Sequence, residues 1–174
     1  DGGLEAVIAA PGVMLPELPP QVRVVEVPDN LFCAIADTEN PQGVIFICKI
    51  KDMSLPNRLA GCRYLLLDGV QDPGNVGTIW RTADAFGADG LILCNGCADP
   101  WSPKTVRATM GALFRFPVYE CALETAAERL AQAGIPLYAA ALQENTLDVR
   151  SVQLDRSAVV IGSEGRGVSR QALE

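Results

Sequence analysis

Two glycine-rich segments hold most of the side chains here that could do chemistry. The first is Asp68-Gly-Val-Gln-Asp-Pro-Gly-Asn75-Val-Gly77, with three glycines, one proline and one asparagine in ten residues. Glycine at this density permits close backbone approach to a ligand and left-handed turns. Asn75 stands where the N-cap of a following helix is expected, and Arg81 follows six positions later. That spacing does not put both on one helix face. An entry loop that brings both to one ligand is one reading; a capping asparagine and a solvated surface arginine is the other. The second segment, Gly162-Ser-Glu-Gly-Arg-Gly167, has its glycines at 162, 165 and 167 and is not a GxGxxG fingerprint. Helix N-termini attract anions, but Glu164 repels a phosphate. The loop therefore suits a ligand with hydroxyls, amines or positive charge, the alternative being a tight turn with an exposed glutamate.

Other candidates carry less. Lys104 and Arg107 share a helix face and with Arg115 make either a basic stripe or a solvated surface. Trp80 and Trp101 are of a type that stacks on bases, but Trp80 falls mid-helix, where packing is expected. Met110 and Gly111 read as structural. Six cysteines include one CxxC, Cys94 and Cys97; with no second CxxC and no histidine, no closed zinc site is expected. The thiols read as reduced, buried side chains of a cytosolic protein. The absence of histidine also excludes Ser-His-Asp and Cys-His catalysis.

The net charge of −7 argues against a broad electrostatic nucleic-acid binder, though not against a local basic patch. Of 14 basic residues 11 are arginine, a bias that favours bidentate anion recognition. No apolar run approaches the roughly 20 residues of a membrane span, and no signal peptide is visible.

The elements that must position these loops follow from periodicity. Residues 21–27 read as a strand, 30–37 as a short helix and 43–50 as a buried strand; 52–62 read as a linker. From residue 64 strands and helices alternate: strand 64–67, helix 76–86 with Ile79, Ala83 and Phe86 on one face, strand 90–94, helix 103–110 capped by Ser102, strand 116–119, helix 124–133, strand 135–142, strand 158–162, and a helix from 168. Short crossovers between five strands imply an α/β fold, a mostly parallel sheet with helices on both faces. Ligands in such sheets sit beyond the carboxyl ends of the strands, which is where both glycine-rich segments fall.

The segments LLLDGVQDPGNVGTIWRTADAFGADGLIL (65–93) and VVIGSEGRGVS (159–169) resemble the first and second motifs of the SpoU (TrmH-like) branch of SPOUT methyltransferases, in the family's order. The stretch 21–50 resembles the end of the L30e-like substrate domain that often precedes the catalytic domain. The resemblance implies a partial L30e-like domain at 1–53, a linker at 54–63 and a SPOUT methyltransferase domain at 64–174. It also implies a trefoil knot completed by a third motif, expected past Glu174. The implied cofactor is S-adenosylmethionine, and the implied reaction is methyl transfer to a ribose 2′-hydroxyl of RNA, ribosomal in preference to transfer RNA. A cytoplasmic homodimer without metal is implied as well. By position, Asn75, Arg81 and Glu164 match the active-site residues, and Gly162 and Gly165, with Ala140 and Leu142 at the preceding strand end, match the cofactor pocket. Arg81 would act as base or as a stabiliser of phosphate and alkoxide; Glu164 would hold its loop or an arginine of the partner subunit. The competing readings are a catalytically inactive RNA-binding relative and a Rossmann-type dinucleotide enzyme, the latter lacking its glycine fingerprint.

Overall fold

The computed structural model describes residues 3–144 and 146–173. The chain divides into two compact units, Asp1–Asp52 and Met53–Glu174.

In the first unit, β1 (Leu4–Ala9) lies between β2 (Arg23–Glu26), parallel to it, and β3 (Val44–Cys48), antiparallel to it. Helix α1 (Asp29–Ile35) connects β2 to β3. β1 is absent from the sequence expectation. Its residues, LEAVIA, include four good helix formers, Leu4, Glu5, Ala6 and Ala9, and pairing on both sides is what makes them a strand. The run at 43–50, expected to be buried, is an edge strand whose last three residues are exposed. β-branched composition marks a strand but does not say that both its faces are covered.

The second unit is a five-stranded, wholly parallel sheet in the order β6-β5-β4-β8-β7. Along the chain these are β4 (Arg63–Asp68), α2 (Pro73–Ala85), β5 (Gly90–Leu93), α3 (Pro103–Ala108), β6 (Val118–Glu120), α4 (Leu123–Gln132), β7 (Leu137–Ala139), β8 (Ser157–Gly162) and α5 (Arg170–Leu173). Central parallel strands are covered on both faces and so are continuously apolar; every residue of β5 is buried. Successive residues of β4 enter different cores. Tyr64 and Leu66 pack with Ile92, Leu130 and Val160 on the α4 side. Leu67 packs with Val76, Trp80 and Leu93 on the α2 side. Each fully buried side chain of this size contributes roughly 1.5–3 kcal/mol relative to exposure.

Two elements differ from their expected form in ways that matter for the site. Helix α2 starts three residues early, at Pro73, with Asp72 as its cap. Proline at the first helical position has no N–H to leave unpaired, and the aspartate accepts the N–H of the third residue. The buried stripe of α2 is Val76, Gly77, Trp80 and Ala83 rather than Ile79, Ala83 and Phe86; Phe86 is 83% exposed. The large indole takes the core position, and Gly77 lets α3 approach so closely that a Cβ there would lie 2.5 Å from that of Ala108. The strand expected at 135–142 is only three residues long, Leu137–Ala139, and the Ala140 N–H makes its last bond to β8. Residues 140–156 then return to β8 with only a single 3-10 turn at Val149–Ser151 among those described.

The chain order reverses beside β4. The next strand lies on one flank and the last strand, β8, on the other. A parallel sheet opens a crevice at the carboxyl ends of the two strands flanking such a reversal.

Candidate active site

Both glycine-rich loops leave the sheet at that crevice, since Asp68 and Gly162 are register partners at the ends of β4 and β8. The Asp72 carboxylate accepts the Asn75 backbone N–H through Oδ1 at 2.9 Å and the Lys104 Nζ through Oδ2 at 2.8 Å. With Asp72 as cap, the Asn75 side chain is released from capping. Its Nδ2 donates instead to Oε1 of Glu164 at 2.6 Å, across 89 positions of sequence.

The second loop closes on itself. Ser163 and Gly167 exchange backbone hydrogen bonds of 3.0 and 2.9 Å, with Gly167 at φ +70°. Gly162 is obligatory for packing, because a Cβ there would sit 2.0 Å from the Gly167 carbonyl carbon. Beyond the loop, the Ser169 N–H donates to Oδ2 of Asp68 at 2.7 Å. The two strand ends are thus joined at both the base and the tip of the crevice.

The Asn75 amide, helped by nearby backbone N–H groups, holds the Glu164 carboxyl below its ordinary range, although the charge of Asp72 works against it. Lys104 above all, and the Asn75 N–H after it, lower Asp72 in turn. Glu164 therefore presents a carboxylate, in keeping with a ligand that is cationic or rich in donors, while Arg166 balances the net charge of the loop.

The structure brings Asn75 and Glu164 together and leaves Arg81 apart. Arg81 is exposed and lies about 9 Å further along the helix axis. No hydrogen bond or ion pair holds its guanidinium among the described residues, so it is available to a ligand. Ala140, whose N–H donates to Val160 O at 2.9 Å, lines a cavity of about 390 Å³ with Tyr138, Ala141, Leu147, Val152 and Leu173. From β8 it is lined by Val159, the register partner of Tyr138. Leu142 does not line it and is 99% exposed. Gly165 is at the exposed loop tip, with open space where a side chain would go. A further cleft, about 510 Å³, opens at the amino ends of β4 and β8, the far end of the sheet from both loops.

Sequence reasoning did not single out Asp68, Asp72 or Ser169 as site residues, and it named Lys104 only in a basic stripe or solvated surface with Arg107 and Arg115. An aspartate before a proline is a helix-start signal, and it is the one that could have found Asp72 in place of Asn75 as the cap. The Lys104–Asp72 and Ser169–Asp68 contacts span 32 and 101 positions and have no local signature. Among the weaker candidates, Trp80 is wholly buried and Trp101 half-buried against the α2-side core. Arg115 pairs with Asp84. Met110, at φ 49°, and Gly111, at 85°, form the left-handed turn that ends α3. Burial pushes the Cys94 thiol up to about 12. No group of three or more Cys, Asp or Glu side chains among the described residues is placed to hold a metal.

A parallel α/β sheet whose glycine-rich loops meet at its point of reversal is of the class that binds small ligands at the strand carboxyl ends. The sequence profile of the SpoU rRNA Methylase family matches residues 63–174, and the chain belongs to that family. It is 37% identical over 147 residues to the 23S rRNA (guanosine(2553)-2′-O)-methyltransferase RlmP of Bacillus subtilis, covering 84% of this chain and 58% of that protein. It is 43% identical over 89 residues to human mitochondrial rRNA methyltransferase 3, covering 48% of this chain and 21% of that one. The AdoMet-bound rRNA methyltransferase from Sinorhizobium meliloti superposes with a TM-score of 0.82 at 29% identity, covering 98% of this chain and 67% of that chain. The chain thus spans a little over half the length of the Bacillus relative. No helix among the described residues is long and apolar enough to cross a membrane.

Proposed function

We propose that this chain carries the catalytic domain of an S-adenosylmethionine-dependent methyltransferase acting on a ribose 2′-hydroxyl of RNA, ribosomal in preference to transfer RNA. The observation that carries this reading is the Asn75–Glu164 hydrogen bond, which joins the two family motifs at the point where the sheet order reverses.

The residues present fit the cofactor. The cavity beside Ala140 has mostly apolar walls, with Gln143 and Thr146 among them, suited to an adenosine, and the Glu164 carboxylate suits a cationic group. Ala140 and Ala141 would hold the cofactor from the β7 side, and Gly162 and Gly165 from the loop. Leu142, exposed as it is, would join the pocket only if its segment folded over a bound ligand. The chemistry S-adenosylmethionine supplies when bound is an electrophilic methyl on a sulfonium, so orienting and deprotonating the hydroxyl are what remain for the protein.

Arg81 is the residue to receive the RNA. A guanidinium has a pKa above about 12 and seldom gives up its proton; its five donors suit a phosphate and a developing alkoxide. Asn75 orients Glu164. With its carboxyl held low, Glu164 is a poor proton acceptor, so its task is to hold the loop. On this reading residues 1–53 are part of an L30e-like substrate-binding domain joined by residues 54–63 to the knotted catalytic domain. The active species is a cytoplasmic homodimer that needs no metal.

The test is transfer of labelled methyl from S-adenosylmethionine to ribosomal RNA by the full-length protein. Incorporation should vanish when the target nucleotide is 2′-deoxy. Label retained on the deoxy substrate would place the methyl on the base and overturn the ribose reading.

A further inference from the structure

The Asn75–Glu164 clasp is held from outside both glycine-rich loops. Lys104 is the second residue of α3, and its Nζ lies 2.8 Å from Oδ2 of Asp72, whose other oxygen receives the Asn75 N–H at 2.9 Å. Three features place it there. The N-terminus of α3 is tied by Ser102, which accepts the Thr105 N–H, and by the Thr105 hydroxyl, which donates to Asp99 O at 2.9 Å. The spacing of α3 from α2 is set by Gly77, where a Cβ would lie 2.7 Å from Thr105 O. Gly74 leaves room for the Asp72 carboxylate to fold over the first turn of α2; a Cβ there would be 2.7 Å from its Oδ1.

We propose that Lys104 and Asp72 are positioning residues: Lys104, through Asp72, sets the first turn of α2 and so the direction in which the Asn75 amide meets Glu164. The inference rests on the reading of Asn75 and Glu164 as the active site. An exposed ion pair adds little to stability, so the contribution of this one is geometric. It also screens the Asp72 charge from Glu164, against which that charge acts.

The test uses Lys104→Met and Lys104→Arg in the full-length protein, with three readouts: the carboxyl titration of Glu164 followed by NMR, the thermal midpoint, and the steady-state kinetics of methyl transfer. Lys104→Met should move the Glu164 titration upward and lower kcat about tenfold, since small misplacements at a reacting centre cost up to about 100-fold. KM for RNA and the thermal midpoint should stay put, and Lys104→Arg should restore both the titration and kcat. An unmoved Glu164 titration overturns the relay whatever the activity. A raised KM with unchanged kcat overturns it too, by making Lys104 a direct phosphate contact. If the titration moves but the wild-type protein transfers no methyl, the relay stands and the methyltransferase reading falls.

Discussion

The side-chain amide of Asn75 donates to Oε1 of Glu164 at 2.6 Å, and this contact joins segments 89 positions apart. It joins the loops that follow β4 and β8, the two strands flanking the reversal of the sheet. The Gln71 backbone also reaches the Glu164 carboxylate, and the Ser169 N–H ties the base of the crevice to Asp68.

Asn75→Asp keeps the shape of the side chain but sets a carboxylate against Glu164. Like charges at hydrogen-bond distance force one group to take a proton or move away. Methyl transfer should fall by on the order of 100-fold, in line with misplaced catalytic groups, while the thermal midpoint changes little because both groups are exposed. Single-turnover transfer beside a melting curve checks this; a variant within twofold of wild type removes the clasp from the mechanism.

Glu164 and Asp72 both titrate lower in the folded protein than in a free chain. Their contribution to stability is therefore present above the ordinary carboxylate range, about 3.9–4.3, and is lost as pH falls through their lowered folded values. Melting curves from pH 7 down to 3 should show a shallower acid decline for Glu164→Gln than for wild type. Equal slopes would mean that Glu164 gains nothing from folding.

Gly162→Ala puts a Cβ into the Gly167 backbone, which must move. Overpacking of this kind costs about 1–3 kcal/mol, and here it opens the loop that caps β8. Calorimetric titration of the full-length variant should show S-adenosylmethionine binding lost or severely weakened. Wild-type affinity would detach this loop from the cofactor.

Arg81→Lys preserves charge but loses the planar fork. Because no partner holds Arg81 among the described residues, the thermal midpoint should be unchanged while methyl transfer drops at least tenfold, as expected for loss of a charge-assisted contact. Near-full transfer by the lysine variant would show that neither phosphate pinning nor alkoxide stabilisation depends on it.

Cys94 is buried with its thiol pushed up to about 12, whereas Cys33 and Cys48 are exposed. A thiol-alkylating reagent at pH 8 should modify Cys33 and Cys48 in the native protein and spare Cys94 until it unfolds. Mass spectrometry of the labelled peptides decides it.

Much of the catalytic unit is legible in the sequence because its signals are local. The apolar runs 64–67, 90–94 and 158–162 alternate with helix-period segments, and that pattern alone dictates a parallel sheet with helices on both faces. Gly-rich segments after apolar strands place the site at the strand ends, and Ser102-Pro103 announces α3. Other features are set by partners distant in sequence. Whether LEAVIA becomes helix or strand depends on residues 23–26 and 44–48, which pair with it. Which stripe of α2 faces inward depends on where Trp80 finds room. Asn75 looks like a cap until Asp72 takes that place. The contacts Asn75–Glu164, Lys104–Asp72 and Ser169–Asp68 exist only once the sheet has brought β4 beside β8 and α3 beside α2. Residue type and periodicity determine which elements form and which end of the sheet carries the chemistry. Which side chains meet there is decided by tertiary structure, because hydrogen bonds and close packing act over a few ångströms in space whatever their separation along the chain.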